Sequence, residues 1–370
     1  MRLSYVDNLR SAMIVLVVAM HAAVTYSHFG SWYYTAPTEP GMIEKLIFGL
    51  FQSHLQAFFM GLLFLLAGYF TPGSYDRKGF WHFVGDRFLR LMVPALIYVF
   101  LIHDMMGHFL LHWHHEGFIA SYRYYVVHGD FLDGTGPMWF AVALFVFSTL
   151  YALVRLALPK CNCVPSLPSA RMAVITGALI GLLSFVVRLR FPLGTNWHNM
   201  QFGYFSQYVV LFIVGMWAFR GDWLKSFPAD SGGKLLKWAV ILGPIVWLAL
   251  IFGGGAFAGA MQAYNGGLTW QSLAISLWEQ IFAVCLCAGL IVLFRQRIYT
   301  GGSVSRLLAD NSFAIYMFHA PVLVSISLLL EPSGLGGVAA FIIAAILTFF
   351  VTLALSHYVL RRIPLLKTVL

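Results

Sequence analysis

Ten long apolar stretches run along this 370-residue chain and decide what it can fold into. The hydrocarbon core of a bilayer is about 30 Å thick, so an α-helix needs about 20 apolar residues to cross it. Backbone amides inside lipid are satisfied only in helices or closed barrels, and the alternating pattern of barrel strands is absent from the sequence. We therefore predict an all-α, polytopic membrane helical bundle with about ten transmembrane helices. The stretches are residues 9–26, 46–70, 88–111, 138–158, 172–187, 202–219, 236–256, 273–294, 313–330 and 338–360.

The composition excludes a water-soluble globule. Hydrophobic residues make up 60% of the chain and charged residues only 10%, whereas soluble domains are about 25% charged. The segments between the apolar stretches are short, and the longest of them covers residues 112–137. We therefore expect one transmembrane domain over residues 1–370, without an added soluble domain.

Lysine and arginine are distributed unequally between the two sets of loops. If the N-terminus is cytoplasmic, 19 of the 23 Lys and Arg residues fall on the cytoplasmic side. Such an excess marks cytoplasmic loops, so we predict that both termini are cytoplasmic. It also explains the net charge of +9, because the basic residues mark the topology of short loops beside the lipid bilayer, and no nucleic-acid partner is needed. The remaining basic residues are Lys45, Arg123, Arg188 and Arg190.

The first apolar stretch carries ionisable residues on one face. Arg10 and His21 are eleven residues apart, which is about three helical turns and ~16 Å along the axis. Asp7 and His28 fall close to the same face. Ionisable groups at membrane depth are costly and often functional. Two interpretations stay open: this stripe lines a site, or Arg10 is a snorkelling anchor and His21 bonds to a neighbouring helix.

Other apolar stretches supply further imidazoles. Tyr316 and His319 are three residues apart and share a helix face, and the apolar boundary places His319 about two turns in from the cytoplasmic side. His54 and His103 lie in the second and third stretches. Each alone is more often a structural hydrogen-bonding residue than a catalyst, but together they indicate a polar cavity.

A basic cluster precedes the third stretch. Arg87 and Arg90 are three residues apart, and Arg77 and Lys78 lie just before them. Two guanidinium groups so placed either anchor the helix at the cytoplasmic boundary or form a fork that binds phosphate.

Metal ligation is the weaker interpretation of two further segments. Cys161 and Cys163 fall in a predicted cytoplasmic loop, where thiols stay reduced. The histidines of residues 112–137 suit an aromatic surface at the lipid headgroups. We predict no metal.

Several short motifs occur in order along the chain. They are Tyr5-Val6-Asp7-Asn8-Leu9-Arg10 with His21, Phe58-Phe59, Ala67-Gly68-Tyr69-Phe70, Arg87-Phe88-Leu89-Arg90, Gly136-Pro137-Met138-Trp139-Phe140, Gln207-Tyr208, Phe212-Ile213-Val214-Gly215 and Ser312 through His319. Together they resemble the acyltransferase-3 family of integral membrane acyltransferases, in particular the branch around the glucan-succinylating proteins of bacterial envelopes. Ala67 stands where many members have Ser, so no role is assigned to it.

The resemblance implies O-acyl transfer in the inner (plasma) membrane. The donor would be cytoplasmic acyl-CoA, as acetyl-CoA or succinyl-CoA, and the acceptor a hydroxyl of an extracytoplasmic glycan or other envelope molecule. Arg10 and His21 match the essential pair of the family. Arg87 and Arg90 match its proposed CoA-binding pair.

These residues suggest a mechanism. Arg87 and Arg90, helped by Arg77 and Lys78, would hold the CoA phosphates.

His21 would act as a general base or carry the acyl group. Arg10 would orient the pantetheine arm, bind phosphate or be held by Asp7. Tyr316 and His319 would lie on the oxyanion or acceptor side. A secondary transporter or exporter of an envelope molecule is the alternative, although the internal repeats typical of that class are not evident.

Overall fold

The computed structural model describes residues 3–113, 117–158, 164–363 and 366. Every regular element in these residues is helical, and pairing of extended backbone is limited to one isolated bridge between Trp197 and Met200. The prediction of an all-α membrane bundle is confirmed.

The main helical elements are numbered here in chain order. They are α1 (Ser4–Ser27), α2 (Met42–Arg87), α3 (88–109), α4 (Phe118–Val127), α5 (Trp139–Ala157), α6 (Ala170–Arg188), α7 (Phe205–Arg220), α8 (Ala229–Gly253), α9 (Trp270–Arg297), α10 (Ser303–Leu330) and α11 (Gly337–Tyr358). Short helical turns connect them at Asp130–Leu132, Gly136–Met138, Phe202–Tyr204, Trp223–Ser226, Ala256–Ala258, Gln262–Asn265, Glu331–Ser333 and Leu360–Arg362.

Nine helical segments of the described residues are long and apolar enough to cross a membrane. One of them, Met42–Phe109, has 68 residues and would be about 100 Å long if straight, several times the bilayer core. Gly79 interrupts it with φ 69° and ψ 178°, a left-handed value that glycine adopts without strain. The chain turns back after this break, because Tyr98 and His103 contact Tyr33 in the loop that precedes α2. α2 and α3 therefore account for the second and third predicted stretches.

α3 is not a regular α-helix. π-helical turns at Phe88–Met92 and Tyr98–His103 alternate with α-helical turns at Val93–Ile97 and Asp104–Phe109. Pro94 has no amide hydrogen and frees a carbonyl in the preceding turn. Such π-turns are frequent at functional sites. Here the second one carries Tyr98 and His103.

The start of α1 and the end of α11 lie on the same side of the bundle. The side-chain amide of Asn8 donates to the carbonyls of Ile298 (2.7 Å) and Thr300 (3.1 Å), between α9 and α10. The hydroxyl of Ser356 donates to Asn311 on α10 at 2.6 Å. We call this the N-terminal side and the other the opposite side. Which of them faces the cytoplasm stays a prediction.

Two predicted positions are corrected. α10 begins at Ser303, ten residues before the apolar stretch, because a neighbouring helix satisfies its polar first turn: the hydroxyl of Ser305 donates to the side-chain oxygen of Asn8 on α1. His319 therefore lies ~24 Å beyond the start of its helix, and its depth of about two turns from the cytoplasmic side stays a prediction. His28 does not extend the face of α1, since the helix ends at Ser27 and His28 has φ 60°.

Candidate active site

The imidazoles of His21 and His319 meet between α1 and α10. His21 Nδ1 is 2.8 Å from His319 Nε2. His319 is fully buried and His21 is half-buried. Both residues were predicted as site residues from their own helices alone, and the structure brings them into direct contact.

A backbone carbonyl fixes the protons of this pair. His319 Nδ1 lies 2.7 Å from the carbonyl oxygen of Tyr316, which can only accept, so Nδ1 carries the hydrogen and Nε2 of the neutral ring carries the lone pair. His21 Nδ1 must then donate to His319 Nε2. The Nε2 atom of neutral His21 is left unprotonated, as a general base or a nucleophile requires.

The phenol of Tyr316 is engaged elsewhere. Its hydroxyl donates to the carbonyl of Pro137, in the turn that precedes α5. This bond joins two of the motifs that the sequence placed far apart. The predicted role of Tyr316 on the oxyanion or acceptor side remains a prediction.

Trp32 covers one face of His21. The two ring centroids are 3.8 Å apart and the planes are inclined by 15°. Trp32 lies in the loop between α1 and α2, which is closed by hydrogen bonds from His28 Nε2 to the carbonyl of Ala36 (2.8 Å) and from the amide of Ala36 to the carbonyl of Thr25 (2.9 Å). Sequence reasoning missed Trp32, because an aromatic residue in a loop belongs to no periodic pattern.

Aromatic rings continue from Trp32 towards the opposite side. Trp32 contacts the edge of Tyr33 at 4.8 Å, and the Tyr33 hydroxyl lies 3.2 Å from His103 Nδ1. Burial raises the pKa of Tyr33, so its phenol stays protonated and can donate. Trp113 stacks beside Tyr33 at 6.2 Å and is 44% exposed. His103, a predicted cavity residue, therefore lies on a row of rings that reaches the surface.

Near the start of α1, Arg10 pairs with Asp7. Arg10 Nη2 is 3.3 Å from Asp7 Oδ1, and 46% of the arginine side chain is exposed. The predicted pair of Arg10 and Asp7 therefore exists. It lies on the same helix as His21, about three turns away. The adjacent Asn8, whose role was not predicted, anchors this end of α1 to the α9–α10 connection.

The predicted basic cluster lies at the junction of α2 and α3. Lys78 pairs with Asp86, and the charges of Arg87 and Arg90 also act on that carboxylate. Arg90 and Arg77 are exposed. Three cations thus surround one carboxylate on the N-terminal side.

A family model described as an acyltransferase domain matches residues 3–357. The chain belongs to the acyltransferase-3 family. With its apolar helices, this acyltransferase is a multi-pass membrane enzyme. No curated protein and no solved structure matches the chain significantly. The motifs that suggested the family are therefore confirmed at family level, whereas the branch and the substrates are matters for proposal.

The acyltransferase has a second cluster on the N-terminal side that sequence reasoning missed. Asp76 of α2 pairs with Arg155 of α5 (3.4 Å) and with Arg220 of α7 (2.8 Å). Arg155 also donates to the hydroxyl of Tyr151 at 3.2 Å. The sequence assigned both arginines to cytoplasmic boundaries, and no pattern indicated that they share one carboxylate.

A buried ion pair lies towards the opposite side. Arg188 is fully buried, and its guanidinium donates to Glu279 (2.6 Å), Ser276 (2.9 Å) and the carbonyl of Gly203 (3.1 Å). The predicted placement of Arg188 among loop charges was therefore incomplete: it ties α6 to α9 and to the turn before α7.

His54 is enclosed by aromatic rings, with Trp278 at 4.9 Å and Phe282 at 5.1 Å.

The described residues hold no group of three or more His, Cys, Asp or Glu side chains that could bind a metal ion. The weaker metal interpretations involved Cys161 and Cys163 as well as His114 and His115, and these four lie outside the described residues.

Proposed function

We propose that this acyltransferase moves an acetyl or succinyl group from cytoplasmic acyl-CoA to a hydroxyl of an extracytoplasmic glycan or other envelope molecule, as in the glucan-modifying branch that its motifs resemble. In this proposal residues 1–370 act as one unit in the plasma membrane, with the N-terminal side in the cytoplasm. The contact between His21 and His319 carries the proposal, because it leaves one unprotonated imidazole nitrogen at membrane depth.

The donor would bind at the α2–α3 junction. Three cations surround one carboxylate there, so net positive charge is left for the phosphates of CoA. Guanidinium groups bind phosphate in a bidentate manner, which suits the exposed Arg90 and the half-buried Arg87, with Arg77 and Lys78 beside them. Arg10, held by Asp7, would orient the pantetheine arm on its way towards His21.

The transfer step uses the lone pair on His21 Nε2. Nε2 takes the proton of the acceptor hydroxyl while the acceptor oxygen bonds to the thioester carbon. The carbon–sulfur bond then breaks, and the CoA thiolate takes the proton from Nε2. His319 accepts from His21 Nδ1 throughout and keeps the ring oriented. The row from Trp32 to Trp113 suits the acceptor side, since it joins this centre to the opposite surface.

Replacing His21 by Ala tests the proposal. Membrane vesicles from cells that lack the gene and express each variant would receive labelled acetyl-CoA or succinyl-CoA, so that the native acceptor is present. Without a base at this position we expect incorporation of label into envelope material to fall by at least about 100-fold. Folding would be checked by gel filtration in detergent.

His357→Ala is the matched control, because this histidine is exposed on α11, and it should leave transfer unchanged. Full transfer by His21→Ala would refute the proposal. Movement of envelope substrate without thioester cleavage would instead favour the transporter alternative. A labelled His21 adduct after rapid quench would select the covalent route over direct transfer.

A further inference from the structure

In the proposed step, His21 becomes an imidazolium. Once Nε2 has taken the acceptor proton, both ring nitrogens carry hydrogen and the ring has a full positive charge. A charge at membrane depth is costly unless neighbouring groups stabilise it. His319 supplies an acceptor for Nδ1–H, but a neutral ring offers no counter-charge.

The group that lies over the face of His21 is the indole of Trp32. A cation placed over an aromatic face is attracted by the negative potential of that face, and Trp attracts most strongly among the aromatic residues. The 3.8 Å separation and 15° inclination set the two rings face to face. The same indole lies 6.1 Å from His319, inclined by 13°, so all three rings are nearly parallel.

The position of Trp32 is set before any substrate binds. Its own loop is closed by the His28–Ala36 and Ala36–Thr25 hydrogen bonds, and Tyr34 in the same loop donates to Glu331 at 2.7 Å. The indole N–H is buried without a hydrogen-bond partner among the residues that the structure describes. His21 therefore contacts the face of the indole ring and not a polar atom of Trp32.

We propose that Trp32 is a positioning residue that acts through His21: its indole face holds the imidazole in place and stabilises the imidazolium formed during acyl transfer by a cation–π interaction. The inference rests on the proposed function of His21. It makes the stacked ring, rather than an acidic side chain, the partner of the charged base.

Fluorination separates this electrostatic role from a purely structural one. Successive fluorine atoms withdraw electron density from the indole face and change its size little. Tryptophan carrying one to four fluorines would be inserted at position 32 alone, because the chain has 11 tryptophans. With labelled acyl-CoA in membrane vesicles, we expect kcat to fall steadily with each fluorine, to about a tenth with four. KM for acyl-CoA should not change.

Two substitutions and one control complete the test. Trp32→Phe keeps a ring face, so its kcat should fall by at most about threefold. Trp32→Leu has no ring face, and its kcat should fall by about tenfold. Fluorination of Trp197, which is 59% exposed, should have no effect.

A flat response to fluorination at position 32, or equal losses in the Phe and Leu variants, would overturn the inference. His21→Ala assayed beside them keeps the two proposals apart: if it is inactive while the fluorine series is flat, only the role of Trp32 fails.

Discussion

At the scale of single residues, the backbone of Tyr316 sets the chemistry of the histidine pair. Its carbonyl places the proton on His319 Nδ1. His319 Nε2 is then a hydrogen-bond acceptor, so the proton of neutral His21 is on Nδ1. His319 is thus useful as a hydrogen-bond acceptor and not as an acid. Because the contact is buried, water cannot easily replace the lost partner when His319 is changed.

Substitutions of His319 should therefore follow their ability to accept a hydrogen bond. Gln can present an amide oxygen near the position of Nε2, and His319→Gln should retain about a tenth of the wild-type kcat. His319→Leu leaves His21 Nδ1 without an acceptor and should lose about 100-fold or more, within the range known for acid–base groups. The kcat values of both variants would be measured by labelled acyl transfer. KM for acyl-CoA should be unchanged in both. Equal kcat values for Gln and Leu would contradict this role.

The sequence predicted His21, Arg10 and His319 because helical spacing places ionisable groups on faces at membrane depth. It could not predict that His21 and His319 touch, because a spacing within one helix carries no information on the rotation of its neighbour. Trp32 was missed for a different reason. A loop has no period, so its contacts depend on where the chain folds back.

At the scale of helices, two motif glycines explain how α2 and α7 approach each other. A Cβ atom added at Gly68 would overlap the carbonyl oxygen of Phe212, and one added at Gly215 would overlap the carbonyl oxygen of Leu65. Small residues at such crossings let membrane helices pack backbone to backbone. The resemblance placed both glycines in family motifs, and the structure gives them a packing role.

Gly68→Ala should therefore destabilise the bundle. The added methyl forces α2 and α7 apart, and overpacking of this kind costs about 1–3 kcal/mol. We expect a lower Tm in detergent, followed by fluorescence-detected gel filtration after heating. Gly85→Ala, in the helical turns beyond the break at Gly79, is the control, because a Cβ there meets no atom within 4 Å, and its Tm should stay level or rise slightly. A Tm for Gly68→Ala equal to that of the control would exclude close backbone packing at this crossing.

Helix ends were predicted less well than helix existence. The apolar stretches located the long membrane helices of the described residues, but helical turns continue past the break at Gly79 to Arg87, and α10 starts at Ser303. The polar start of α10 is helical because a neighbour satisfies it, as Asn8 does for Ser305. Hydropathy reports the lipid-facing length of a helix and not its full extent.

At the scale of the whole molecule, the two ends of α1 lie near different parts of the proposed site. His21 is seventeen residues beyond Ser4 and six before Ser27, which is ~26 Å from the start of α1 and ~9 Å from its end. The histidine pair is therefore nearer to the opposite side, whereas the cations of the α2–α3 junction lie on the N-terminal side. A carrier with a long arm, charged only at its head, suits this separation, because the arm alone has to enter the bundle.

The sidedness of donor binding follows from this arrangement. Acyl-CoA does not cross membranes, so in sealed vesicles of known orientation it should support transfer only when added to the side that carries Arg87 and Arg90. The double substitution Arg87→Gln with Arg90→Gln should raise KM for acyl-CoA by about tenfold or more, since each charge-assisted hydrogen bond contributes about 1.5–3 kcal/mol.

The matched control is Arg361→Gln with Arg362→Gln, which removes the same charge from the same side at the end of the chain's last described helical turn. KM for acyl-CoA should stay close to the wild-type value in this control variant. Added salt should weaken donor binding in the wild type and in the control alike. Equal KM values for the two double variants would return Arg87 and Arg90 to the role of membrane anchors. Transfer from donor added to the opposite side would reverse the proposed orientation and leave the histidine pair in place.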